Sequence, residues 1–142
     1  MPDLRKIQIP NSIKMAFQGQ EQEYTFFMFV QHFMDTQPAY NDDAAGIKAG
    51  LVLDSRMREA MKEAQEHAES VAAKEGGEEA PANPQPKELL LDEPDWMRLN
   101  NTVQSPSKLK RQDTGQEVSG YPFTPARIFG EFIEAIEKAE KV

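Results

Sequence analysis

The chain has 142 residues, 39% of them hydrophobic, which suffices for one ordinary domain with a single core. It carries 24 acidic and 16 basic residues, and the resulting net charge of −8 argues against general affinity for nucleic-acid phosphates. Cysteine is absent, which excludes disulfides, thiolate metal sites and cysteine nucleophiles.

The N-terminal segment predicts neither a signal peptide nor a membrane anchor. Charged residues and Pro10 interrupt it before an apolar run can develop. The most apolar stretch, from Phe26 to Met34, is far shorter than the roughly 20 residues of a spanning helix. We therefore expect a soluble, cytoplasmic protein.

Two short strands are predicted near the start of the chain. Residues 7–9 and 13–17 each alternate apolar with polar side chains, which is typical of strands with one buried face. Residues 10–12 separate them, and Gly19 marks a turn after the second. We expect a small β-hairpin backed by a helix.

The segment TFFMFVQHFM predicts an aromatic helix that Thr25 caps. Apolar residues on both faces leave a buried strand as the alternative, but Pro38 favours a helix that ends shortly before it. Core packing is the simpler role for these large side chains. The alternative is a hydrophobic docking surface.

A long helix is predicted from Ala44 to Ala73, with Asn41–Asp43 supplying a cap and favourable negative charge. At 1.5 Å per residue it would span roughly 45 Å, more than one small core can cover. Its polar second half should project or lie against a partner helix; a frayed, solvated end is the alternative. A narrow stripe marks the expected contact face: Leu53, Met57, Ala60, Ala64 and Val71, joined at its start by Ile47 and Leu51.

Residues 74–87 predict an acidic, extended linker, because their glycines, prolines and glutamates oppose regular structure. Leu89, Leu90 and Leu91 predict a short strand or an extended anchor. Asp92 is expected to cap the following helix, with Pro94 in its first turn.

The C-terminal part is expected to add an irregular stretch over residues 105–121 and an amphipathic helix that begins at Thr124-Pro125. Glu134 with Lys138 and Glu137 with Lys141 should form ion pairs along its outer face. We assign Trp96, from the preceding helix, and Phe132 to the core.

Together these elements predict a mainly α protein with a small N-terminal β-hairpin, an α+β arrangement of three to four helices, one of them long and projecting. Residues 1–73 hold the hairpin, the aromatic helix and the long helix. Residues 88–142 form a strand-helix-loop-helix segment that we expect to pack on residues 1–60 as one domain.

No catalytic, cofactor or metal site is predicted. The two histidines, His32 and His67, lack a recognisable catalytic neighbourhood, and Glu63 with His67 gives fewer ligands than a closed metal site needs. His32 should be a hydrogen-bonded boundary residue. The basic cluster 107–111 has no interleaved aromatics and is expected to be a solvated loop, and neither dinucleotide nor P-loop glycine patterns occur. We expect no enzyme, cofactor, small-molecule substrate or direct nucleic-acid contact.

The order of elements carries one resemblance. An aromatic helix (TFFMFVQHFM), a long charged helix, a strand-to-helix unit (LLLDEPDWMRL) and an amphipathic C-terminal helix resemble the layout of small accessory proteins encoded among the virion-assembly genes of tailed bacteriophages. The resemblance covers most of the chain, rests on no motif and transfers no functional residue. It implies a virion component, an assembly factor or a small protein directed against a host system.

The function we expect is therefore non-catalytic: a structural component or assembly factor of a larger protein complex, such as a phage virion, in the cytoplasm of a bacterial host. Its partners would be other protein subunits in a homo- or hetero-oligomer. The expected contact residues are Met57, Ala60, Ala64, Val71, Leu89, Leu90 and Leu91. The alternative is an acidic inhibitor or nucleic-acid mimic that acts on a host polymerase, nuclease or defence complex.

Overall fold

The computed structural model describes residues 4–74, 86–121 and 126–142, which form a mixed α+β protein. Most of the predicted linker 74–87, and the predicted helix start at Thr124-Pro125, lie outside these residues. In chain order the elements are β1 (Leu4–Gln8), β2 (Ile13–Phe17), β3 (Gln20–Tyr24), α1 (Phe26–Thr36), α2 (Pro38–Asn41), α3 (Ala44–Lys74), β4 (Glu88–Asp92), α4 (Glu93–Gln104), β5 (Leu109–Lys110), β6 (Glu117–Val118), a short 3-10 helix (Ala126–Phe129), α5 (Gly130–Glu137) and β7 (Glu140–Lys141).

A three-stranded antiparallel sheet has the N-terminal strand at its centre. β1 pairs along its whole length with β4 and on its other side with β7. Ile7, opposite Leu89, is fully buried, and the main chain continues the pairing where the Ile9 amide donates to the Lys87 carbonyl at 2.9 Å. This sheet therefore joins the beginning, middle and end of the described chain.

The β-hairpin is formed by other strands than those predicted. β2 pairs with β3, not with β1, through a turn in which Gln18 and Gly19 both have positive φ (51° and 78°). Two such residues make the tight turn that matches the twist of hairpin strands. The sequence of β3, QEQEY, gave no signal because only its last residue, Tyr24, is buried.

Helix α1 supplies much of the core, as predicted. Thr25 caps it by accepting a hydrogen bond from the Met28 amide at 3.2 Å. The ring of Phe29 lies 4.8 Å from that of Phe33 and 4.9 Å from that of Phe129, all three fully buried. Core packing is thus the role of these aromatic residues rather than docking.

The one-turn helix α2 was not predicted, and it raises the number of α-helices in the described chain to five. It packs against the start of α3, where the Asp43 carboxylate accepts from the Gly46 amide at 2.7 Å. A Cβ on Gly46 would lie only 2.4 Å from the carbonyl oxygen of Ala39. Glycine at this position therefore lets the two helices approach each other.

Helix α3 is the predicted long helix, with 31 residues. Only its first half enters the core, through Leu53 and Met57, and no residue from Arg58 to Ala72 is buried. Ile47 and Leu51 are 52% and 65% exposed whereas Leu53 and Met57 are buried, so the prediction that all four belong to one stripe is wrong. Because residues two apart on a helix differ by about 200° in direction, Leu51 and Leu53 cannot share a face.

Helix α4 starts at the predicted place, but Asp92 does not cap it through its side chain. Its carboxylate lies 3.9 Å from the Arg56 guanidinium of α3 instead. Trp96 is half-buried against the core, where its indole N–H donates to the Ile136 carbonyl at 2.7 Å, and Phe132 is fully buried.

The C-terminal part differs from expectation in two details. Residues 105–121 contain the small β5–β6 ribbon, which includes Leu109 and Lys110 of the basic cluster 107–111. Glu134 and Lys138 form the expected ion pair at 3.8 Å. Helix α5 ends at Glu137 and Lys141 belongs to β7, so Glu137 and Lys141 are not one helical turn apart as predicted. None of the helices in the described ranges has the length and apolar character required to cross a bilayer.

Candidate protein-interaction surfaces

Three of the seven predicted contact residues lie in the core of the protein itself. Met57, Leu89 and Leu91 are 4%, 1% and 0% exposed, so they offer no surface to a partner and the prediction is wrong for them. The leucine run forms strand β4, one of the two predicted alternatives, and side chains in a strand alternate in direction. Leu90 alone faces outward, with 40% of its surface exposed.

Two of the other four, Ala60 and Ala64, line one groove, and Leu90 lines a hollow that adjoins it. This α3–β4 groove lies between the second half of α3 and the start of β4. One wall carries Ala60, Ala64 and Ala68, and the other is formed by residues 86–88; together they enclose about 450 Å³. Ala60 and Leu90 line an adjoining hollow of about 250 Å³. Val71, at 38% exposed, belongs to neither lining.

The groove is open because its helical wall is built from alanine. A methyl side chain reaches little beyond the backbone, so three alanines one turn apart leave a shallow channel where larger residues would fill the space. The strand wall is fixed by the pairing of β4 with β1, and by an ion pair of 3.7 Å between Lys6 and Glu88. Both walls therefore have a defined position.

Charged side chains border this apolar channel. Glu59, Glu63 and Glu88 line its hollows together with Arg56 and Lys87. These border residues were not predicted. The sequence does not show which distant segments pair, and it is this pairing that places Glu88 beside α3. A channel of small apolar residues with a charged border is suited to receive an amphipathic helix or an extended segment.

The two histidines occupy unrelated positions. His67 lines the α3–β4 groove beside Glu63, and no group of three potential metal ligands occurs in the described part of the chain. His32 lies at the core boundary as predicted, with its Nε2 atom 2.9 Å from the Gly120 carbonyl oxygen. Its ring packs edge-on against Phe33. His32 therefore packs at the core boundary, whereas His67 is an exposed residue of the groove, and the two share no site.

A polar hollow of about 470 Å³ lies between α2 and α4, and two of its polar side chains, Gln37 and Arg98, form hydrogen bonds to the protein backbone. Gln37 is only 1% exposed and exchanges two hydrogen bonds with the backbone of Ser107. Arg98 donates to the Ala39 carbonyl at 2.7 Å. These bonds hold the loop after α4 against α2, which is a structural task.

A second apolar groove, the methionine groove, runs between α1 and α3 and encloses about 490 Å³. Met28 and Met61, 48% and 40% exposed, stand at its mouth, and Met57 lies deeper. Asp54 and Arg58 border it and form an ion pair of 2.9 Å. The sequence analysis missed this groove, although the helical spacing of Met57 and Met61 was a visible signal.

Comparisons with protein-family models, with curated proteins and with solved structures give no match to this chain, so its surfaces are interpreted from their own geometry.

Proposed function

We propose that this protein is a non-catalytic structural component or assembly factor that binds other protein subunits. One observation carries the proposal: no residue from Arg58 to Ala72 of α3 is buried, yet this stretch presents an alanine-lined groove with a fixed opposite wall. A helix that served only as a solvated extension would not need such a channel.

The alanine side chains favour close approach of a partner. Helix axes pack about 8–10 Å apart, with the shorter distances where the contact residues are small. Apolar area removed from water contributes roughly 25 cal/mol per Å², so filling the channel would add to affinity without a deep pocket. The reachable contact residues in this proposal are Ala60, Ala64 and Leu90, with Val71 further along the helix.

The order of elements supports a place in a larger assembly. Its resemblance to small accessory proteins of tailed bacteriophages fits a subunit that joins or helps to build a virion in the cytoplasm of a bacterial host. In this proposal residues 88–142 pack on residues 1–60 as one domain, which the pairing of β1 with both β4 and β7 supports.

The charges on α3 do not favour the alternative of a nucleic-acid mimic. Mimicry of a phosphate backbone needs negative charges repeated along a rigid face. Helix α3 carries five acidic and five basic residues, and it is the longest rigid element described. Salt would separate the two functions, since a mimic should lose its target steeply between low and moderate salt.

The experiment is site-specific photocrosslinking in the cells that produce the protein. A photoreactive amino acid replaces Ala64, in the groove, or Glu66, an exposed residue that points away from it. We expect a discrete protein adduct from position 64, none from position 66, and a complex that persists in moderate salt. Equal crosslinking from both positions, or none from position 64, would refute the proposal.

A further inference from the structure

Another face of α3 carries an exposed strip with its own pattern. We define the outer strip as Ile47, Leu51, Asp54, Arg58 and Met61. The spacing of four, three, four and three residues places these side chains on one helix face. This face lies about 100° around the helix from the core-facing residues Leu53 and Met57.

The apolar members of the outer strip are unusually accessible. Leu51 is 65% exposed, Ile47 52% and Met61 40%. Met61 also forms part of the methionine groove, where Met28 adds a further exposed side chain on α1. A projecting leucine at one end of the strip and an apolar groove at the other are complementary shapes.

The order of side chains in the strip is self-complementary. When a second α3 is laid antiparallel across the strip, Asp54 meets Arg58 of the partner subunit and Arg58 meets Asp54 of the partner subunit. The same alignment places Leu51 opposite Met61 of the partner subunit, and Met61 opposite Leu51 of the partner subunit. The two charged contacts then pair opposite charges, and the Leu51–Met61 contacts pair apolar groups, whereas Ile47 lies opposite Gln65 of the partner subunit at the edge of the contact.

We propose that two copies of this protein associate through antiparallel packing of their α3 helices on the outer strip, with Leu51 of each copy in the methionine groove of the other. Such an interface is isologous, because the same patch serves both subunits. The inference rests on the proposed function, since it names one protein partner, but it uses a different face of α3 from the α3–β4 groove.

Charge complementarity selects a second copy in this orientation over other occupants. In a parallel pair, Asp54 would face Asp54 of the partner subunit and the two arginines would also oppose each other. The strip holds one acid and one base, so it is neutral within a chain of net charge −8. Two copies that meet there bring together two strips without net charge, which limits their general repulsion. The Arg58 side chain, 81% exposed, is free to exchange its contact within the helix for one across the interface.

The test uses paired charge reversals and the mass of the full-length protein in solution. Wild-type protein at about 100 µM is expected to be a dimer. Its molar mass is measured by light scattering after size exclusion. Asp54→Lys makes both charged positions positive, and Arg58→Asp makes both negative. Each variant alone should dimerise roughly tenfold or more weakly, because like charges then face each other twice.

Mixing the two variants is the decisive step. In the mixed pair both contacts regain opposite charges, so equimolar Asp54→Lys and Arg58→Asp should restore the dimer. Glu66→Lys, a reversal at an exposed position about 100° around the helix from the strip, should dimerise like the wild type. Circular dichroism checks that each variant is folded. A monomeric wild type, or a mixture no better associated than its components, would overturn the proposal.

The results also separate this inference from the proposed function. A monomeric wild type that still crosslinks at position 64 would refute the proposed dimer but not the proposed role of the α3–β4 groove. A dimer without crosslinks at position 64 would remove the proposed role of the groove and leave the dimer.

Discussion

Arg5 and Glu93, 88 positions apart, form a two-pronged ion pair in which Nε lies 2.6 Å from Oε2 and Nη2 lies 2.8 Å from Oε1. The Nη1 atom of Arg5 donates to the Ala139 carbonyl at 3.0 Å, and its guanidinium lies 4.2 Å from the ring centre of Trp96. Planar, two-pronged contacts are the strongest form of this interaction. One side chain of β1 therefore holds the start of α4 and the end of the chain together.

The ion pair predicts an acid-sensitive component of stability. Hydrogen bonds from Arg5 lower the pKa of Glu93 below its ordinary value of 4.5, so the folded state favours the carboxylate. This contribution is present at neutral pH and is lost as the pH falls below about 4.5 and through the lowered pKa. Glu93→Gln should therefore lower the free energy of unfolding at pH 7 and lower it by less at pH 3.

Urea unfolding followed by the fluorescence of Trp96, the only tryptophan, measures this difference. Glu134→Gln is the control, because its pair with Lys138 is exposed and should have little effect at either pH. Equal losses at pH 7 and pH 3 in Glu93→Gln would contradict the assignment.

The two glycines at the start of α3 should respond in opposite ways to alanine. A Cβ on Gly46 would overlap the Ala39 carbonyl, so Gly46→Ala should destabilise the protein by about 1–3 kcal/mol. A Cβ on Gly50 would make an ordinary contact of 3.6 Å with the Tyr40 ring. Gly50→Ala should be neutral, or stabilising by up to about 1 kcal/mol through helix propensity. Thermal unfolding compares the pair, and equal effects would show that the α2–α3 contact is looser than described.

Gln37 should be essential to the loop after α4. Its amide donates to the Ser107 carbonyl at 3.1 Å and accepts from the Ser107 amide at 2.6 Å. Gln37→Leu would leave both backbone groups without these partners at a cost of about 1–3 kcal/mol. Hydrogen exchange should accelerate at the Ser107 amide. Gln31→Leu is a matched control, because Gln31 is exposed and bonds only to the nearby Asp35 in the described contacts; unchanged exchange in Gln37→Leu would refute the role.

Two tyrosine hydroxyl groups make a second matched pair. The Tyr40 hydroxyl is buried with no hydrogen-bond partner in the described residues, and burial raises its pKa. Tyr40→Phe should therefore be neutral or stabilising by about 1 kcal/mol, since it removes an unsatisfied polar group. The Tyr121 hydroxyl donates to the Val103 carbonyl at 2.7 Å, so Tyr121→Phe should destabilise by about 1 kcal/mol. Chemical denaturation measures both, and a marked loss in Tyr40→Phe would reveal a partner for that hydroxyl.

Local patterns predicted the elements whose signal lies within one segment. The cap at Thr25 and the apolar residues after it identified α1, and an uninterrupted helical pattern identified α3. The polar strand β3 gave no such signal, because an exposed strand needs no apolar alternation. The one-turn helix α2 is too short for a periodic pattern and exists through its contact with Gly46.

The interaction surfaces were harder to predict because they depend on which segments become neighbours. Nothing local distinguishes Leu90 from Leu89 until β4 pairs with β1 and one face turns to the core. In the same way, Ile47 and Leu51 share an apolar character with Leu53, and only the direction of the core separates an exposed strip from a buried one.

The central place of β1 has a consequence for the newly made chain. Its partner β4 follows about 80 residues later, so at translation rates of roughly 5–20 residues per second β1 waits roughly 4–16 s for that strand. During this time Ile7 is exposed and both strand edges can pair with other chains. The nascent polypeptide thus has a window for aggregation that ribosome-associated chaperones would need to cover.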